Sequence, residues 1–134
     1  EALTAAGVDV TVATPTGGAP EPDERSVDPD EVGEEAADHV TEVAKNDERL
    51  RNPVQITEVS AAAFDAVVFP GGHGTEWDVN QDRHARTFLR EAVAGDDGKA
   101  LVVCHAAGLL AFTRTSEGEY LVDGRSVTGF PNRE

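Results

Sequence analysis

The chain has 134 residues, enough for one domain with its own apolar core. It carries 26 acidic and 11 basic residues, a formal net charge of −15, which repels nucleic acids and anionic membranes, so we expect neither as a partner. The single cysteine cannot form an internal disulfide, no apolar run approaches the ~20 residues of a membrane span, and no signal segment is recognisable. These features predict a cytoplasmic protein.

Lysine is nearly absent from the chain, which has only Lys45 and Lys99, whereas arginine is common. An acidic, lysine-poor surface is what we expect at high salt, because dissolved ions screen the repulsion between carboxylates. We therefore predict a halophilic source. An ordinary acidic protein from a low-salt cytosol is the alternative.

The first half of the chain predicts short and mostly exposed elements. Residues 1–6 read as the end of a helix that Gly7 closes, and the alternating valines of residues 8–12 predict a strand. Residues 30–50 have the spacing of a weak, acidic helix, and residues 54–56 predict a short edge strand or connector.

The second half carries the stronger signals. Residues 64–69 form a nearly continuous apolar run that ends at Pro70-Gly71-Gly72, as expected of a parallel strand covered on both faces. Residues 78–93 predict a helix, residues 99–103 a second buried strand, and a new helix is expected to start directly at Cys104. Strand, helix, strand and helix in this order predict an α/β fold with a right-handed parallel crossover.

The end of the chain predicts a hairpin. Asp123-Gly124 suits a tight turn between residues 120–122 and residues 125–128. With about three parallel strands recognisable, residues 1–134 are interpreted as a single domain that is incomplete at both ends.

Cys104 stands at the junction of a predicted strand and a predicted helix. Free backbone N–H groups and the helix dipole at such a junction stabilise a thiolate, which is the reactive form of cysteine. The geometry parallels the nucleophile elbow of hydrolases, where a sharp turn exposes the reactive atom above the sheet. A small, buried and inert cysteine is the alternative for Cys104 taken alone.

The glycine-rich strand end favours the reactive alternative. A backbone N–H of Gly71 or Gly72, together with the N–H of His105, predicts a two-donor oxyanion hole beside Cys104. His73 is expected to line the pocket rather than bind a metal, because no second His or Cys stands at ligand spacing from it.

Two segments of the chain form recognisable motifs: Val68-Phe69-Pro70-Gly71-Gly72-His73-Gly74, followed by Trp77-Asp78, and Val102-Val103-Cys104-His105. They resemble the signatures of the ThiJ/PfpI superfamily, in particular its glyoxalase III and heat-shock chaperone branch. The resemblance implies a flavodoxin-like three-layer sandwich with a mainly parallel sheet, in a protein that forms a homodimer and needs no cofactor or metal.

The same resemblance implies the site residues and the reaction. Cys104 matches the family's nucleophile and His105 its catalytic histidine, while Glu134 is the candidate for the carboxylate that steadies the histidine. The family's second glutamate belongs upstream of Ala6-Gly7, and Glu1 stands too close to that pair to match it. The implied substrate is a small aldehyde: methylglyoxal and water would become D-lactate without glutathione, the activity of a D-lactate dehydratase, a lyase, in the response to carbonyl stress.

Two alternatives stay open at this point. The chain could belong to a stress chaperone that holds unfolded proteins and keeps the cysteine as a redox sensor. It could also belong to a cysteine hydrolase, a peptidase or deglycase, because an elbow and an oxyanion hole serve acyl transfer equally well.

Overall fold

The structure is a computed structural model, and it describes residues 2–95 and 97–129. The chain is a mixed α/β protein whose residues fall into two compact units, 1–58 and 59–134. No helix in the described part of the chain is long and apolar enough to cross a membrane. That all 134 residues form one domain stays a prediction.

The first unit contains a two-stranded parallel sheet, in which Ala13 lies opposite Val54 and Thr14 opposite Gln55. Its strands and helices are β1 (Ala13–Thr14), α1 (Ala2–Ala5), α2 (Pro29–Val32), α3 (Glu34–Asn46), α4 (Glu48–Arg51) and β2 (Val54–Gln55).

The predicted strand at residues 8–12 is wrong in its position. Strand pairing starts later, where the carbonyl of Val12 accepts a hydrogen bond from the Val54 N–H at 3.0 Å, and Val8 is exposed. Of the two alternatives for residues 54–56, the short strand is confirmed for Val54–Gln55, which form β2, while Ile56 begins a 3₁₀ turn. The two residues of β2 limit β1 to the same length. Gly7 closes α1 as expected, with a φ of 79° that favours glycine.

An Asp–Arg pair follows α3 and begins α4. The Asp47 carboxylate accepts from the Arg49 backbone N–H at 3.0 Å and from its Nε at 2.9 Å, and Arg49 also donates to the Thr4 hydroxyl at 2.7 Å. The side-chain hydrogen bond from Arg49 lowers the pKa of the Asp47 carboxyl from 3.8 to about 2. Because the folded pKa lies below the unfolded one, the pair contributes stability above pH 3.8 and loses it as the pH falls through about 2.

Asp47→Asn is expected to destabilise the protein at neutral pH, and the difference from wild type should shrink as the pH falls from 3.8 towards 2. Asparagine still caps a helix, so the substitution removes the charge and keeps the cap. Urea unfolding at a series of pH values measures this difference. Glu31→Gln, which breaks the more exposed pair of Glu31 with Arg25, is the control and should have little effect at any pH. A difference at Asp47 that stays constant with pH would contradict the account.

The second unit contains the two strands that lead to Cys104. Its elements are β3 (Val67–Phe69), α5 (Arg83–Ala92), β4 (Ala100–Val102) and α6 (Ala107–Phe112), with 3₁₀ turns at Ala61–Ala63, His73–Glu76 and Cys104–Ala106. Strands β3 and β4 are parallel, and Val67, Val68 and Phe69 pair with Ala100, Leu101 and Val102. The predicted parallel strand–helix–strand order is confirmed.

Helix α5 begins five residues later than predicted. Asp82 caps it, because one carboxylate oxygen accepts from the backbone N–H groups of His84 and Ala85, both at 2.8 Å. The buried face of α5 carries Phe88, whose ring lies 6.3 Å from the ring of Phe64. The apolar spacing marks the packed face of the helix correctly, but the cap sets its start.

The prediction that β3 and β4 are buried on both faces is wrong. Phe69 is buried, but on the opposite face Val68, Leu101 and Val103 are 47%, 58% and 42% exposed. Alternate side chains of a strand point to opposite faces, so a row of exposed apolar side chains means that one face of this sheet is uncovered in the described chain.

The predicted hairpin around Asp123-Gly124 is also wrong. The antiparallel bridge joins Arg114 to Tyr120 instead, and the turn between them contains Gly118, with a φ of 92°. The Arg114 guanidinium lies 3.9 Å from the centre of the Tyr120 ring, a cation–π contact that stabilises this earlier pairing.

Candidate active site around Cys104

The backbone turns sharply where β4 ends. Cys104 has a φ of 55° and is the one residue other than glycine with a positive φ in the described chain. A left-handed backbone at such a residue costs about 1–3 kcal/mol and is most often found at functional sites. The positive φ agrees with the prediction that the cysteine sits on a strained turn. The side chain of Cys104 is also exposed.

The helix after Cys104 does not start where the sequence predicts. Residues Cys104–Ala106 form a 3₁₀ turn, and α6 begins at Ala107 and has six residues. The left-handed backbone of Cys104 excludes this residue from the α-helix itself. Stabilisation of the thiolate by the helix dipole therefore stays a prediction.

Two histidines lie beside the cysteine. The Sγ of Cys104 is 3.4 Å from Nδ1 of His105, which is within hydrogen-bonding distance for sulfur. The ring of His73 packs against that of His105, with 4.6 Å between the ring centres and 42° between their planes. The structure thus brings together the predicted nucleophile, the predicted catalytic histidine and the predicted pocket residue.

Gly71 lies directly against the cysteine. The parallel register brings the ends of β3 and β4 to the same edge, where the Val103 N–H donates to the Phe69 carbonyl at 3.1 Å. A Cβ atom on Gly71 would lie 2.5 Å from the Cβ of Cys104 and 2.8 Å from the Val103 carbonyl oxygen. Only glycine leaves room for this approach.

The loop after Gly71 is held by a threonine. Gly72 has a φ of 108°, and its carbonyl accepts from the backbone N–H of Thr75 at 3.2 Å and from its hydroxyl at 2.8 Å. This glycine loop lies beside the cysteine turn, since the 3₁₀ turns 73–76 and 104–106 pack together. That the N–H groups of Gly71, Gly72 and His105 form an oxyanion hole stays a prediction.

Sequence reasoning missed Asn80, which is fully buried beside the cysteine turn. Its side-chain Nδ2 donates to the backbone carbonyl of His105 at 2.9 Å, and its backbone N–H donates to the Thr75 carbonyl at 2.9 Å. Among the described residues, no donor reaches its Oδ1, and an unsatisfied buried acceptor costs about 1–3 kcal/mol. The available signal was Gly108, a glycine inside a predicted helix, which lies against this amide.

Glu134, the predicted partner carboxylate, lies outside the described residues, so its role stays a prediction. Residues 2–95 and 97–129 contain no cluster of three or more His, Cys, Asp or Glu residues that could hold a metal ion. Trp77, which belongs to the first signature segment, is 83% exposed.

An exposed cysteine on a strained turn at the carboxyl edge of a parallel sheet, with a histidine within reach, has the geometry of a nucleophile elbow in an α/β protein. That Cys104 acts as a nucleophile stays a prediction. The sequence model of the DJ-1/PfpI family matches residues 1–134, and the chain belongs to this family. The predicted membership of the ThiJ/PfpI superfamily is confirmed.

The solved structures that resemble the chain include two that match nearly all of it. The X-ray structure of the Rapid Encystment Protein of 24 kDa from Francisella tularensis has a TM-score of 0.74 and 24% identity over 93% of this chain. The crystallographic structure of a protein designated APC35852 has a TM-score of 0.68 and 28% identity over 98% of this chain. The chain spans 54% and 55% of the two, about half their length. No curated protein matches the chain significantly.

Proposed function

We propose that the full-length protein is a cofactor-independent glyoxalase of the III type, which converts methylglyoxal and water to D-lactate through Cys104. The observation that carries the proposal is the Cys104–His105 pair, with 3.4 Å between Sγ and Nδ1, on a strained turn in a member of the DJ-1/PfpI family. A thiolate adds readily to an aldehyde, and an adjacent imidazole can move the protons that such an addition requires.

The reaction needs no external oxidant or reductant. The Cys104 thiolate adds to the aldehyde carbon of methylglyoxal, and the new oxyanion takes a proton to give a hemithioacetal. A base then removes the hydrogen of that carbon, and the enediolate that forms takes a proton at the neighbouring carbon. The product is a lactoyl thioester, in which the first carbon has been oxidised and the second reduced. Water hydrolyses the thioester, releasing D-lactate and the thiolate.

His105 is the candidate for the proton transfers near the sulfur, since its Nδ1 already lies beside Sγ. The packed ring of His73 limits the orientations that the His105 ring can take. The N–H groups of Gly71 or Gly72 and of His105 are proposed to stabilise the oxyanions of the hemithioacetal and of thioester hydrolysis. The close approach of Gly71 to Cys104 supports this assignment.

The other proposals concern the protein as a whole. Glu134 is proposed as the carboxylate that orients the histidine, and the protein is proposed to act as a cytoplasmic homodimer. The 26 acidic residues outnumber the 11 basic ones, which supports a halophilic source. Activity is therefore best measured in high salt.

A holdase chaperone is the second candidate, favoured by the exposed apolar side chains of Val68, Leu101 and Val103 on one face of the β3–β4 sheet. If other parts of the full-length protein leave this face open, it could hold unfolded chains. A peptidase or deglycase is the third, because the same elbow suits acyl transfer.

The test is to assay the full-length protein in high salt in three ways. The assays use methylglyoxal without glutathione, a panel of short peptides, and a heat-denatured client protein. We expect D-lactate from methylglyoxal, no peptide cleavage, and client aggregation at the rate seen without the protein. Suppressed aggregation without D-lactate would replace the proposal by the chaperone. Peptide cleavage that iodoacetamide abolishes would replace it by the hydrolase.

A further inference from the structure

The amide of Asn80 is an unusual group to find in the core of the second unit. The side chain has no exposed surface, and it uses only its Nδ2, which donates to the His105 carbonyl at 2.9 Å. Exchanging the amide oxygen and nitrogen would place two oxygens against each other, so the contact with His105 fixes the orientation of the amide. The oxygen Oδ1 is consequently left without a donor among the described residues.

Such an amide is a poor choice for stability. The unpaired Oδ1 destabilises the fold by at least as much as a single hydrogen bond stabilises it, so it offsets what the contact of Nδ2 with the His105 carbonyl contributes. Stability alone therefore does not account for an asparagine at this position. Residues that break a rule of packing are expected where function requires them.

The glycine of α6 points to the same contact. Gly108 lies in a helix, where alanine is the more favourable residue, and its φ is not in the positive range. A Cβ atom at Gly108 would lie 2.6 Å from Nδ2 of Asn80. Gly108 thus provides the space in which the amide reaches the His105 carbonyl.

The anchored carbonyl belongs to His105, the proposed catalytic histidine. His105 carries the ring beside Sγ and the N–H proposed for the oxyanion hole, and it lies in the middle of the short 3₁₀ turn 104–106. Asn80 in turn is tied to the glycine loop, because its N–H donates to Thr75, which binds the carbonyl of Gly72. Asn80 therefore links both sides of the site, one through its side-chain amide and the other through its backbone N–H.

We infer that Asn80 is a positioning residue, whose amide holds the His105 backbone so that the imidazole stays beside the Cys104 sulfur. This inference rests on the proposed role of the Cys104–His105 pair. It assigns no chemical step to Asn80, which acts only through the backbone of His105.

The test is the rate at which iodoacetamide alkylates Cys104, the only cysteine of the chain, measured across mildly acidic and neutral pH in the full-length protein. If a cysteine occurs elsewhere in the full-length protein, peptide mapping by mass spectrometry reports the rate at Cys104 alone. Asn80→Leu is expected to slow alkylation at neutral pH by about fivefold. Without the hydrogen bond to its carbonyl, His105 is no longer held where its imidazole can accept the proton of the Cys104 thiol. Its thermal unfolding midpoint should stay within about 4 °C of wild type, since the unpaired Oδ1 is also lost.

The matched control is Thr113→Val. Thr113 is also buried and also donates from its side chain to a backbone carbonyl, that of Leu109 at 2.7 Å, but at the far end of α6. This variant should be less stable and should alkylate at the wild-type rate. If both variants slowed alkylation equally, Asn80 would have only a structural role, and the inference would be overturned.

Gly108→Ala is the second variant, because its new methyl group pushes the amide away while Asn80 itself is kept. It is expected to slow alkylation as Asn80→Leu does, and it decides the question alone if Asn80→Leu does not fold. Alkylation at or above the wild-type rate in the folded variants overturns the inference. Since alkylation needs no methylglyoxal, slowed alkylation in a protein that makes no D-lactate would refute the proposed function and leave the role of Asn80 supported.

Discussion

Replacing Cys104 by serine is expected to reduce D-lactate formation from methylglyoxal by at least about 1000-fold, because every covalent intermediate of the proposed reaction is bound to this sulfur. A serine hydroxyl stays protonated at neutral pH and adds poorly to the aldehyde. The side chain of Cys104 is exposed, so the substitution should leave the unfolding midpoint close to that of wild type. Initial rates of D-lactate formation, measured enzymatically, give the comparison.

His105→Ala belongs to the same experiment and should lower the rate by about 100-fold or more, since a positioned general base is lost. The two effects should not add in the double variant, because both residues serve the same covalent intermediate. His84→Ala is the control, because this histidine has no part in the proposed reaction. It lies on α5, where its ring contacts Arg83. Retention of D-lactate formation in a folded Cys104→Ser variant would refute the covalent mechanism.

Gly71→Ala is expected to damage both stability and turnover. The added methyl group would lie 2.5 Å from the Cβ of Cys104 and 2.8 Å from the Val103 carbonyl oxygen, so the strand end and the cysteine turn must move apart. Overpacking of this kind costs about 1–3 kcal/mol. A displacement of about 1 Å at the reacting atoms can reduce the rate by about 100-fold.

The matched control for Gly71 is Gly74, three residues further along the same loop. A Cβ atom on Gly74 meets nothing within 4 Å, and its φ is not in the positive range. Gly74→Ala should therefore leave the unfolding midpoint and the D-lactate rate near those of wild type. If both variants lost stability and D-lactate formation equally, these properties would depend on the flexibility of the loop and not on the close approach of Gly71 to Cys104.

The parallel strands could be predicted from the sequence because their apolar runs stop at clear breaks. Residues 64–69 end at Pro70-Gly71 and residues 99–103 begin directly after Gly98, and both runs contain a strand. Local patterns could not show which faces of these strands are covered. Val68 and Leu101 are as apolar as buried strand residues, yet they are exposed, because burial depends on what packs above the sheet.

The hairpin prediction failed for a related reason. Asp123-Gly124 and Gly118 are both suitable turn positions, and Gly124 does have a positive φ of 69°. The contact of Arg114 with Tyr120, six residues apart, favours the earlier turn, and a turn motif alone contains no information about such a contact.

Most residues around the cysteine could be predicted, because a nucleophile at a strand end and a glycine loop at the next strand must meet at the same sheet edge. Cys104, His105, His73 and Gly71 come together in this way. Asn80 could not be identified from the sequence, since its side chain donates to a backbone carbonyl 25 positions away. Gly108 in α6 indicates that space is needed beside the helix, but not which residue fills it.

The fate of methylglyoxal in the full-length protein tests the central claim most directly. Proton NMR in high salt, without glutathione, follows the methyl signal of the substrate, and an enzymatic assay establishes the configuration of the product. The account predicts that the methylglyoxal signal is replaced by that of D-lactate, and that prior alkylation of Cys104 prevents the change. Methylglyoxal that persists in the presence of a folded protein with a reduced Cys104 would contradict the account.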